Sequence, residues 1–278
     1  MLERRLLVVT GKGGVGRSAL TAALALRAAR TGRRVLAIAM AGPAGLAAHL
    51  GVARLAYAPL EVRPGLFGAH VDPAESLDEY LRLRLRVPRI GPLTSAFRLL
   101  ADTVPGVRDT VVIGKVLYEA IRGEWDLVVA DGPPTGQIHS YLVAPSTIES
   151  LVPSGRVKEQ AGWMRRSLAD PAIAGLVVAG LAEEVPVAEM TETLALLEAE
   201  PVADVARIVL NRILEPLEAD MGDEPPGARR EAALHHAAMA SSQARQRRRL
   251  PAHDTLPYLF GTHTPVEVAQ RLATEVAP

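Results

Sequence analysis

The stretch Gly11–Ser18 has the residue types and spacing of a phosphate-binding loop. It reads GKGGVGRS, which follows the P-loop pattern GxxxxGK[ST] except that Arg17 stands at the lysine position. Glycines at this spacing let backbone N–H groups turn inward around a phosphate chain, and the N-terminus of the following helix adds its positive dipole end. Ser18 offers a hydroxyl suited to Mg²⁺ held between the β- and γ-phosphates. We therefore expect a nucleotide phosphate site here.

A second loop, Asp131–Gly136, follows an apolar segment that is predicted to be a buried strand over residues 126–131. Asp131 ends this strand, which is the position of a carboxylate that holds Mg²⁺ through water. The glycines and prolines that follow shape a loop facing the first one. The predicted Mg²⁺ ligands are thus Ser18 and Asp131. The predicted phosphate-binding residues are Gly11, Lys12, Gly13, Gly14, Val15, Gly16, Arg17, Ser18 and Gly136.

The elements that must position these loops alternate between short runs of Val, Ile and Leu and longer helix-patterned segments. This alternation predicts an α/β protein with a doubly wound, mostly parallel sheet covered by helices on both faces. Strands are predicted near residues 4–10, 34–40, 66–71, 126–131, 173–179, 205–211 and 255–260. Helices should begin at Pro73 and Pro265, where a capping residue precedes the proline and a carboxylate follows.

The domain organisation that we predict is one domain over residues 1–278. Within it, residues 73–122 are too long for a simple crossover and form a small helical insertion. Residues 213–250 form a loop followed by an arginine-rich helix.

Composition narrows the chemistry further. The chain has 278 residues, 31 Lys and Arg against 31 Asp and Glu, and no cysteine. Disulfides, thiolate metal sites, iron–sulfur clusters and thiol nucleophiles are therefore excluded. Zero net charge does not favour nucleic acid or an anionic membrane as a partner of the whole chain. No apolar run approaches the roughly 20 residues that span a bilayer, so we expect a cytoplasmic protein that reaches a membrane only through a partner.

These motifs resemble those of the deviant-P-loop ATPases, which include the arsenite-pump ATPase and the tail-anchored-protein-targeting ATPases. The likeness is strongest to the bacterial anion-transporting ATPase branch, whose members often come as sibling pairs. The two phosphate motifs carry it, and segments 63–67, 78–82, 210–212 and 256–259 follow in the family's order. The resemblance implies a P-loop NTPase fold, ATP or ADP with Mg²⁺ as ligands, and a dimer with itself or with a sibling subunit.

The resemblance also implies roles for particular residues. Lys12 matches the lysine that crosses the dimer interface to touch the partner's nucleotide phosphates. Asn211 matches the residue that hydrogen-bonds adenine, and Pro257 and Tyr258 match a loop that flanks the base. A strand-end asparagine is as often a turn former, and Tyr258 could simply pack on the sheet. A guanine-specific [NT]KxD signal does not occur in the sequence.

The sequence departs from the family at two positions where hydrolysis is sensitive. Arg17 keeps the charge of the P-loop lysine but has a planar, bulkier head group. The family also carries an acidic residue after the second strand, where this chain has Ala41, or Gly42 with a shift of one residue. Because phosphoryl transfer depends on positioning and charge, losing both groups should slow it on the order of a thousandfold. We therefore expect weak or absent hydrolysis by this subunit alone, with Lys12 lent in trans to a competent sibling.

Two rival functions remain open. The first is a fully active ATPase homodimer for membrane-protein or anion handling, with a base supplied elsewhere, for example by His139. The second is a partitioning-type ATPase that binds DNA through the arginine-rich helix 229–249, although no aromatic residues accompany those arginines. His235 and His236 are interpreted as surface residues, because adjacent helical positions point in different directions.

The cargo is not specified by the sequence. Arsenite capture in this family relies on cysteines, so arsenite is not expected. A hydrophobic helix as cargo would need an apolar groove, for which segments 80–85, 96–100 and 111–113 are candidates. The alternative, which we favour, is that these segments form the core of the insertion itself.

Overall fold

A computed structural model of the protein describes residues 1–83, 106–217 and 227–276. Within these ranges eight strands form one sheet in the order β3-β4-β2-β5-β1-β6-β7-β8. All neighbouring strands run parallel except the β3–β4 pair, which is antiparallel. The predicted α/β class with a mostly parallel sheet is confirmed. The strands are β1 (Leu6–Gly11), β2 (Val35–Ala39), β3 (Leu60–Arg63), β4 (Leu66–His70), β5 (Leu127–Asp131), β6 (Ala174–Leu181), β7 (Val205–Ile213) and β8 (Asp254–Pro257).

Helices cover both faces of this sheet. The helices of the described ranges are α1 (Arg17–Ala29), α2 (Ala44–Leu50), α3 (Pro73–Leu83), α4 (Val107–Ile121), α5 (Thr135–Leu151), α6 (Arg156–Ala169), α7 (Glu184–Ala199), α8 (Ala228–Arg247) and α9 (Pro265–Glu275). The two predicted helix starts are confirmed. The backbone N–H of Glu75 donates to Asp72 Oδ1 at 2.9 Å, and Thr264 and Glu267 form a reciprocal capping box. None of these described helices is long and apolar enough to cross a membrane.

Strand β3 is the element that the sequence analysis missed. It is an exposed edge strand of four residues, LEVR, that pairs antiparallel with β4 through a tight turn at Gly65, where φ is +75°. Its alternation of apolar and charged residues lacks the continuous apolar run that marks the buried parallel strands. The other seven predicted strands are present, with ends that shift by a few residues.

The core consists of two large apolar layers, one on each face of the sheet, and a smaller apolar cluster between β6, β7 and α7. Alternate residues of β1 divide between them: Leu7 and Val9 pack with α1, α2 and α9, whereas Leu6 and Val8 pack with α4, α5 and α6. Helices on both faces leave the central strands fully buried, which explains their near-continuous Val, Leu, Ile and Ala content. This arrangement places the carboxyl ends of β1, β2 and β5 side by side at one edge of the sheet.

The predicted insertion, residues 73–122, is described only at its two ends, α3 and α4. Residues 84–105, including the candidate groove segment 96–100, lie outside the described residues, as do residues 218–226 of the second irregular region. In the segment 111–113, Val112 and Ile113 are 1% and 0% exposed, but they pack against the central strands of the sheet and not in a separate core of the insertion. Whether residues 73–122 form a subdomain stays a prediction.

A buried charged network ties α3 to α4. Lys115 Nζ lies 2.6 Å from Glu79 Oε2 and 2.8 Å from Glu119 Oε1, and Glu119 is only 2% exposed. The indole N–H of Trp125 donates to Glu119 Oε2 at 2.8 Å, and Tyr57 donates to Glu79. Burial opposes the charge of Glu79, but hydrogen bonds from Lys115 and Tyr57 hold the pKa of its carboxyl below the ordinary value. The network fixes both described ends of the predicted insertion to the core.

Candidate nucleotide-binding site

The glycine-rich loop connects the end of β1 to the start of α1. Gly16 caps α1 in the left-handed region, with φ at +101°, where a residue with a Cβ is strained. The first turn of α1 has neither a side-chain cap nor an acidic residue. Its N–H groups and its positive dipole end are therefore available to an anion bound in the loop.

A cavity of about 660 Å³ brings the predicted phosphate and base residues together. Gly14, Gly16, Arg17 and Ser18 form one side of it. Asn211, Pro257 and Tyr258 form another side, although they lie about 200 positions further along the chain. The volume falls in the range of about 300–1,000 Å³ that is usual for small-molecule sites. The remaining predicted phosphate residues, Gly11, Lys12, Gly13, Val15 and Gly136, do not line this cavity.

Asn211 lies directly against the phosphate loop. Its Nδ2 donates to the carbonyl of Val15 at 3.0 Å, and the residue is 8% exposed. A Cβ on Gly16 would lie 2.4 Å from Asn211 Nδ2, so only glycine permits this approach. Tyr258, by contrast, is 44% exposed at the cavity and is not simply packed on the sheet. The corner beside the loop thus presents a buried amide and an exposed aromatic ring to the cavity.

The two predicted magnesium ligands are neighbours. Ser18 Oγ donates to Asp131 Oδ2 at 2.6 Å. Burial raises the pKa of Asp131, against the hydrogen bond from Ser18 and the positive charge of Arg17. A hydroxyl and a carboxylate are the hard oxygen donors that Mg²⁺ takes together with substrate phosphates, so this pair fits the metal. No cluster of three His, Asp or Glu side chains that could hold a metal ion by itself occurs in the described part of the chain.

Arg17 is engaged with the second loop. Its guanidinium donates to the carbonyl of Gly132, directly after Asp131, while its side chain borders the 660 Å³ cavity. The second loop is itself held to β1 by two hydrogen bonds. Thr10 Oγ1 donates to the carbonyl of Pro133 at 2.8 Å, and the N–H of Gly132 donates to the carbonyl of Val9 at 2.8 Å. The positive charge of Arg17 therefore stays beside the cavity, but the N–H groups of its guanidinium are directed at the protein backbone. Gly136 lies in the exposed first turn of α5.

Lys12 pairs within its own chain. Its Nζ contacts Glu189 of α7, and the two side chains are 38% and 39% exposed. The ammonium group thus lies over α7, and its predicted role across a dimer interface would require this ion pair to open. That role stays a prediction.

Ala41 follows β2 and lines a second cavity of about 480 Å³ at the same edge of the sheet. No carboxylate precedes or follows it closely in sequence, but Asp109 of α4 lines the same cavity. Asp109 accepts a hydrogen bond of 2.9 Å from Ser140. His139, the base considered from the sequence, lines neither cavity; its Nε2 lies 2.9 Å from Glu200 Oε2. The folded chain thus brings a carboxylate to the cavity beside Ala41 that no signal in the sequence indicates.

Several cavity residues had no sequence signal. The described lining carries the basic side chains of Arg17, His49, Arg212 and His263 and contains no Asp or Glu, which favours an anionic ligand. His49 lies on α2, which packs so closely that a Cβ on Gly45 would lie 2.7 Å from Ser18 Oγ. Among the predicted surface histidines, His236 contacts the carbonyl of Glu215 at 2.7 Å.

The parallel sheet and the glycine-rich loop at its edge define a P-loop nucleotide-binding fold. A model of the family described as anion-transporting ATPase matches residues 4–155, which is more than half of the chain. The protein therefore belongs to the anion-transporting ATPase family.

Individual relatives agree with this family. ATPase BagA of Mycobacterium tuberculosis is 31% identical over 226 residues, covering 75% of this chain and 65% of that protein. Uncharacterized protein SCO2128 of Streptomyces coelicolor is 35% identical over 148 residues, covering 52% and 38% of the two chains. ATPase get3 of Schizosaccharomyces japonicus is 27% identical over 149 residues, covering 52% and 45%. The matched region spans at most about two thirds of the length of these curated relatives.

Proposed function

We propose that the protein binds Mg-ATP in the 660 Å³ cavity, hydrolyses it weakly on its own, and acts as one subunit of a dimeric ATP-dependent complex. One observation carries the proposal: a single cavity with a basic lining joins the glycine-rich loop to Asn211 and Tyr258. The membership of the family and the relatives named as ATPases support nucleotide as the ligand.

Each part of the site has a task in nucleotide binding. The N–H groups of the loop and of the first turn of α1 bind the phosphate chain. Ser18 and Asp131 would hold Mg²⁺, which neutralises charge on the β- and γ-phosphates when bound. Asn211 would bind the base through its amide, and Tyr258 through the face of its ring. None of these groups is lost at the two positions that differ from the family pattern.

Weak hydrolysis follows from what surrounds the transferring phosphate. The guanidinium of Arg17 donates to the Gly132 carbonyl. It must break this hydrogen bond before it can stabilise the negative charge that develops on the transferring phosphate. Ala41 has no group that can orient a water. Removing one well-placed electrostatic or hydrogen-bonding group costs about 3–4 kcal/mol in comparable sites, which is a factor of hundreds in rate. The pair of changes is thus sufficient to leave a binding subunit with little turnover.

One specific observation favours the alternative function, a fully active ATPase homodimer. Asp109 lines the same cavity as Ala41, so a carboxylate from α4 could take the place of the missing one. In that case the substitution Asp109→Asn would abolish phosphate release. If the protein is weakly active for the reasons above, Asp109→Asn leaves its low rate unchanged.

The dimer and its cargo belong to the proposal. The partner is a second copy or a sibling chain, to whose nucleotide Lys12 would reach once it leaves Glu189. A membrane protein or another hydrophobic helix is the cargo that we propose, and a cytoplasmic location with access to membranes through the partner agrees with it.

The DNA-binding alternative has less support. Arginines of α8 and the turn after it have neighbours within the chain, since Arg247 Nε lies 3.4 Å from His253 Nε2 and Arg249 donates to Gln246 at 2.8 Å. Retention of nonspecific DNA on filters at low salt, lost at high salt, would revive it.

Calorimetric titration with ATP, with and without Mg²⁺, tests the proposal. We expect the wild-type chain to bind ATP more tightly with Mg²⁺ than without it. The variant Ser18→Ala should bind ATP but lose most of this dependence on Mg²⁺. Ser150→Ala is the matched control, because Ser150 is an exposed serine of α5 that contacts only a local carbonyl. A wild-type chain that does not bind ATP under either condition would refute the proposed function.

A further inference from the structure

The end of β7 departs from regular pairing beside the proposed base pocket. The register between β7 and β8 shifts between Leu210 and Ile213, so Asn211 and Arg212 form a bulge. Arg212 has a φ of +58°, and it is the only described residue other than glycine with a positive φ. Both bulge residues line the 660 Å³ cavity. Bulges next to ligand sites typically re-aim a side chain, and here the side chain is that of Asn211.

This bulge leaves backbone groups that the neighbouring strands do not pair, and Gln243 of α8 satisfies them. Its Nε2 donates to the carbonyl of Arg212 at 2.9 Å, and its Oε1 accepts from the N–H of Leu214 at 2.8 Å. The amide thus binds Arg212 near the end of β7 and Leu214 just beyond it, two alternate residues, as an adjacent strand would. Leu214 is 7% exposed, so its N–H would otherwise be a largely buried donor without a partner.

The left-handed conformation of Arg212 is held from two sides. Asn211 Oδ1 accepts from the N–H of Arg212 at 2.9 Å, and Gln243 binds the carbonyl of the same residue. A non-glycine residue in this region costs about 1–3 kcal/mol and persists only where the surroundings enforce it. Without Gln243 we expect the bulge to relax, and the side chain of Asn211 would then leave its present orientation toward the loop.

Helix α8 lies on the surface beside the end of β7. None of its twenty residues, all of them described, is buried. Its contacts with the end of β7 come from Gln243 and from His236, which binds the carbonyl of Glu215 at 2.7 Å. With no buried residue, the helix contributes little to the apolar core, and Gln243 connects it to the segment at the end of β7.

We propose that Gln243 is a positioning residue that holds the Asn211–Arg212 bulge in the conformation that recognises the nucleotide base. The inference rests on the proposed binding of ATP and adds a determinant of base recognition on the arginine-rich helix. Gln243 should therefore affect only the recognition of the base, through the Asn211–Arg212 bulge. The glycine-rich loop should bind the phosphates without Gln243.

The test compares Mg-ATP with inorganic tripolyphosphate plus Mg²⁺, which offers the phosphate chain without a base. Affinities are measured by calorimetry for the wild-type chain, Gln243→Ala and Gln246→Ala. Gln246 is a matched control, because it is a half-buried glutamine one turn along the same helix whose Oε1 binds only the local Arg249. Thermal unfolding of each variant checks the fold.

We expect wild type and Gln246→Ala to bind ATP more tightly than tripolyphosphate. In Gln243→Ala the ATP affinity should fall about tenfold, as expected if the base loses its hydrogen bond to a reoriented Asn211, while the tripolyphosphate affinity stays unchanged. If Gln243→Ala does not fold, Gln243→Glu keeps the acceptor for Leu214 but loses the donor to Arg212, and a selective loss of ATP affinity is expected there too.

Two results would overturn the inference. The first is an unchanged ATP affinity in folded Gln243→Ala or Gln243→Glu. The second is an equal loss for ATP and tripolyphosphate, which would assign Gln243 a general structural role. A wild-type chain that binds neither ligand would refute the proposed function and this inference together, whereas the two results above refute the inference alone.

Discussion

Replacing Gly16 with alanine should destabilise the protein and disrupt the proposed site together. The residue has a φ of +101°, where a side chain costs about 1–2 kcal/mol. The new Cβ would lie 2.4 Å from Asn211 Nδ2, so Asn211 must move and lose its hydrogen bond to Val15, at a cost of about 1–3 kcal/mol. Alanine also makes the unfolded chain less flexible than glycine does, which offsets about 0.7 kcal/mol of this loss of stability. We therefore expect a net loss of about 3 kcal/mol in the free energy of unfolding.

Denaturant unfolding of wild type, Gly16→Ala and Gly13→Ala measures this loss. Gly13 is the control within the same loop, because a Cβ there would have no atom within 4 Å and its φ lies outside the left-handed region. Gly13→Ala should change the unfolding free energy by less than about 0.5 kcal/mol. The double variant Gly16→Ala, Asn211→Ala removes the overlap. Its loss should be about 1 kcal/mol smaller than the sum of the single losses, since the two residues touch.

The same variants report on the ligand. Gly16→Ala should weaken ATP binding at least tenfold, because both the capped start of α1 and the position of Asn211 change. The contrary result is a Gly16→Ala protein whose free energy of unfolding lies within 1 kcal/mol of wild type and which still binds ATP normally. It would refute the claim that Gly16 allows a tight contact between the loop and Asn211.

Three further predictions concern ion pairs of the structure. Glu79→Gln should destabilise the protein at neutral pH, and the difference from wild type should shrink as the pH falls from the ordinary range of a glutamate through the lowered pKa of Glu79, because protonation then removes the same charge. Lys115→Met should cost about 3 kcal/mol in unfolding free energy, since it leaves the buried carboxylate of Glu119 without its ammonium partner. Glu189→Gln should release Lys12 and strengthen ATP-dependent dimerisation, measured by analytical ultracentrifugation, by about threefold, as a half-exposed ion pair contributes under 1 kcal/mol.

Each of these predictions has an outcome that contradicts it. A Glu79→Gln difference that is constant down to acidic pH would show that the carboxylate charge contributes nothing. Lys115→Met should be largely rescued by adding Glu119→Gln, and an unrescued loss would assign the effect to packing. Dimerisation of Glu189→Gln that matches wild type, or that persists when Lys12→Ala is added, would separate Lys12 from the interface.

Local signals in the sequence were sufficient for most of the sheet and for the phosphate loop. Continuous apolar runs predict the buried parallel strands because burial on both faces leaves no polar position. Strand β3 escaped prediction because its charged residues face solvent at the edge of the sheet. The loop was predictable because its glycines, serine and following helix are contiguous in sequence.

The rest of the site depends on contacts between distant segments. Lys12 and Glu189 are 177 positions apart, and nothing in either local sequence indicates that they pair. Gln243 belongs to a helix that the sequence marks only by its arginines, yet its amide binds the backbone of Arg212 and Leu214 at the end of β7. Asp109 reaches the cavity beside Ala41 through the packing of α4. Such roles arise from the tertiary arrangement and have no motif of their own.

Phosphate release from Mg-ATP tests the central claim most directly, with the purified wild-type chain beside the double variant Arg17→Lys, Ala41→Asp. We expect wild type to remain near the uncatalysed background while it binds ATP. The double variant, with both family residues restored, should be on the order of a thousandfold faster. Rapid turnover by the wild-type chain, abolished by Asp109→Asn, would contradict the account and favour a fully active ATPase with a relocated carboxylate.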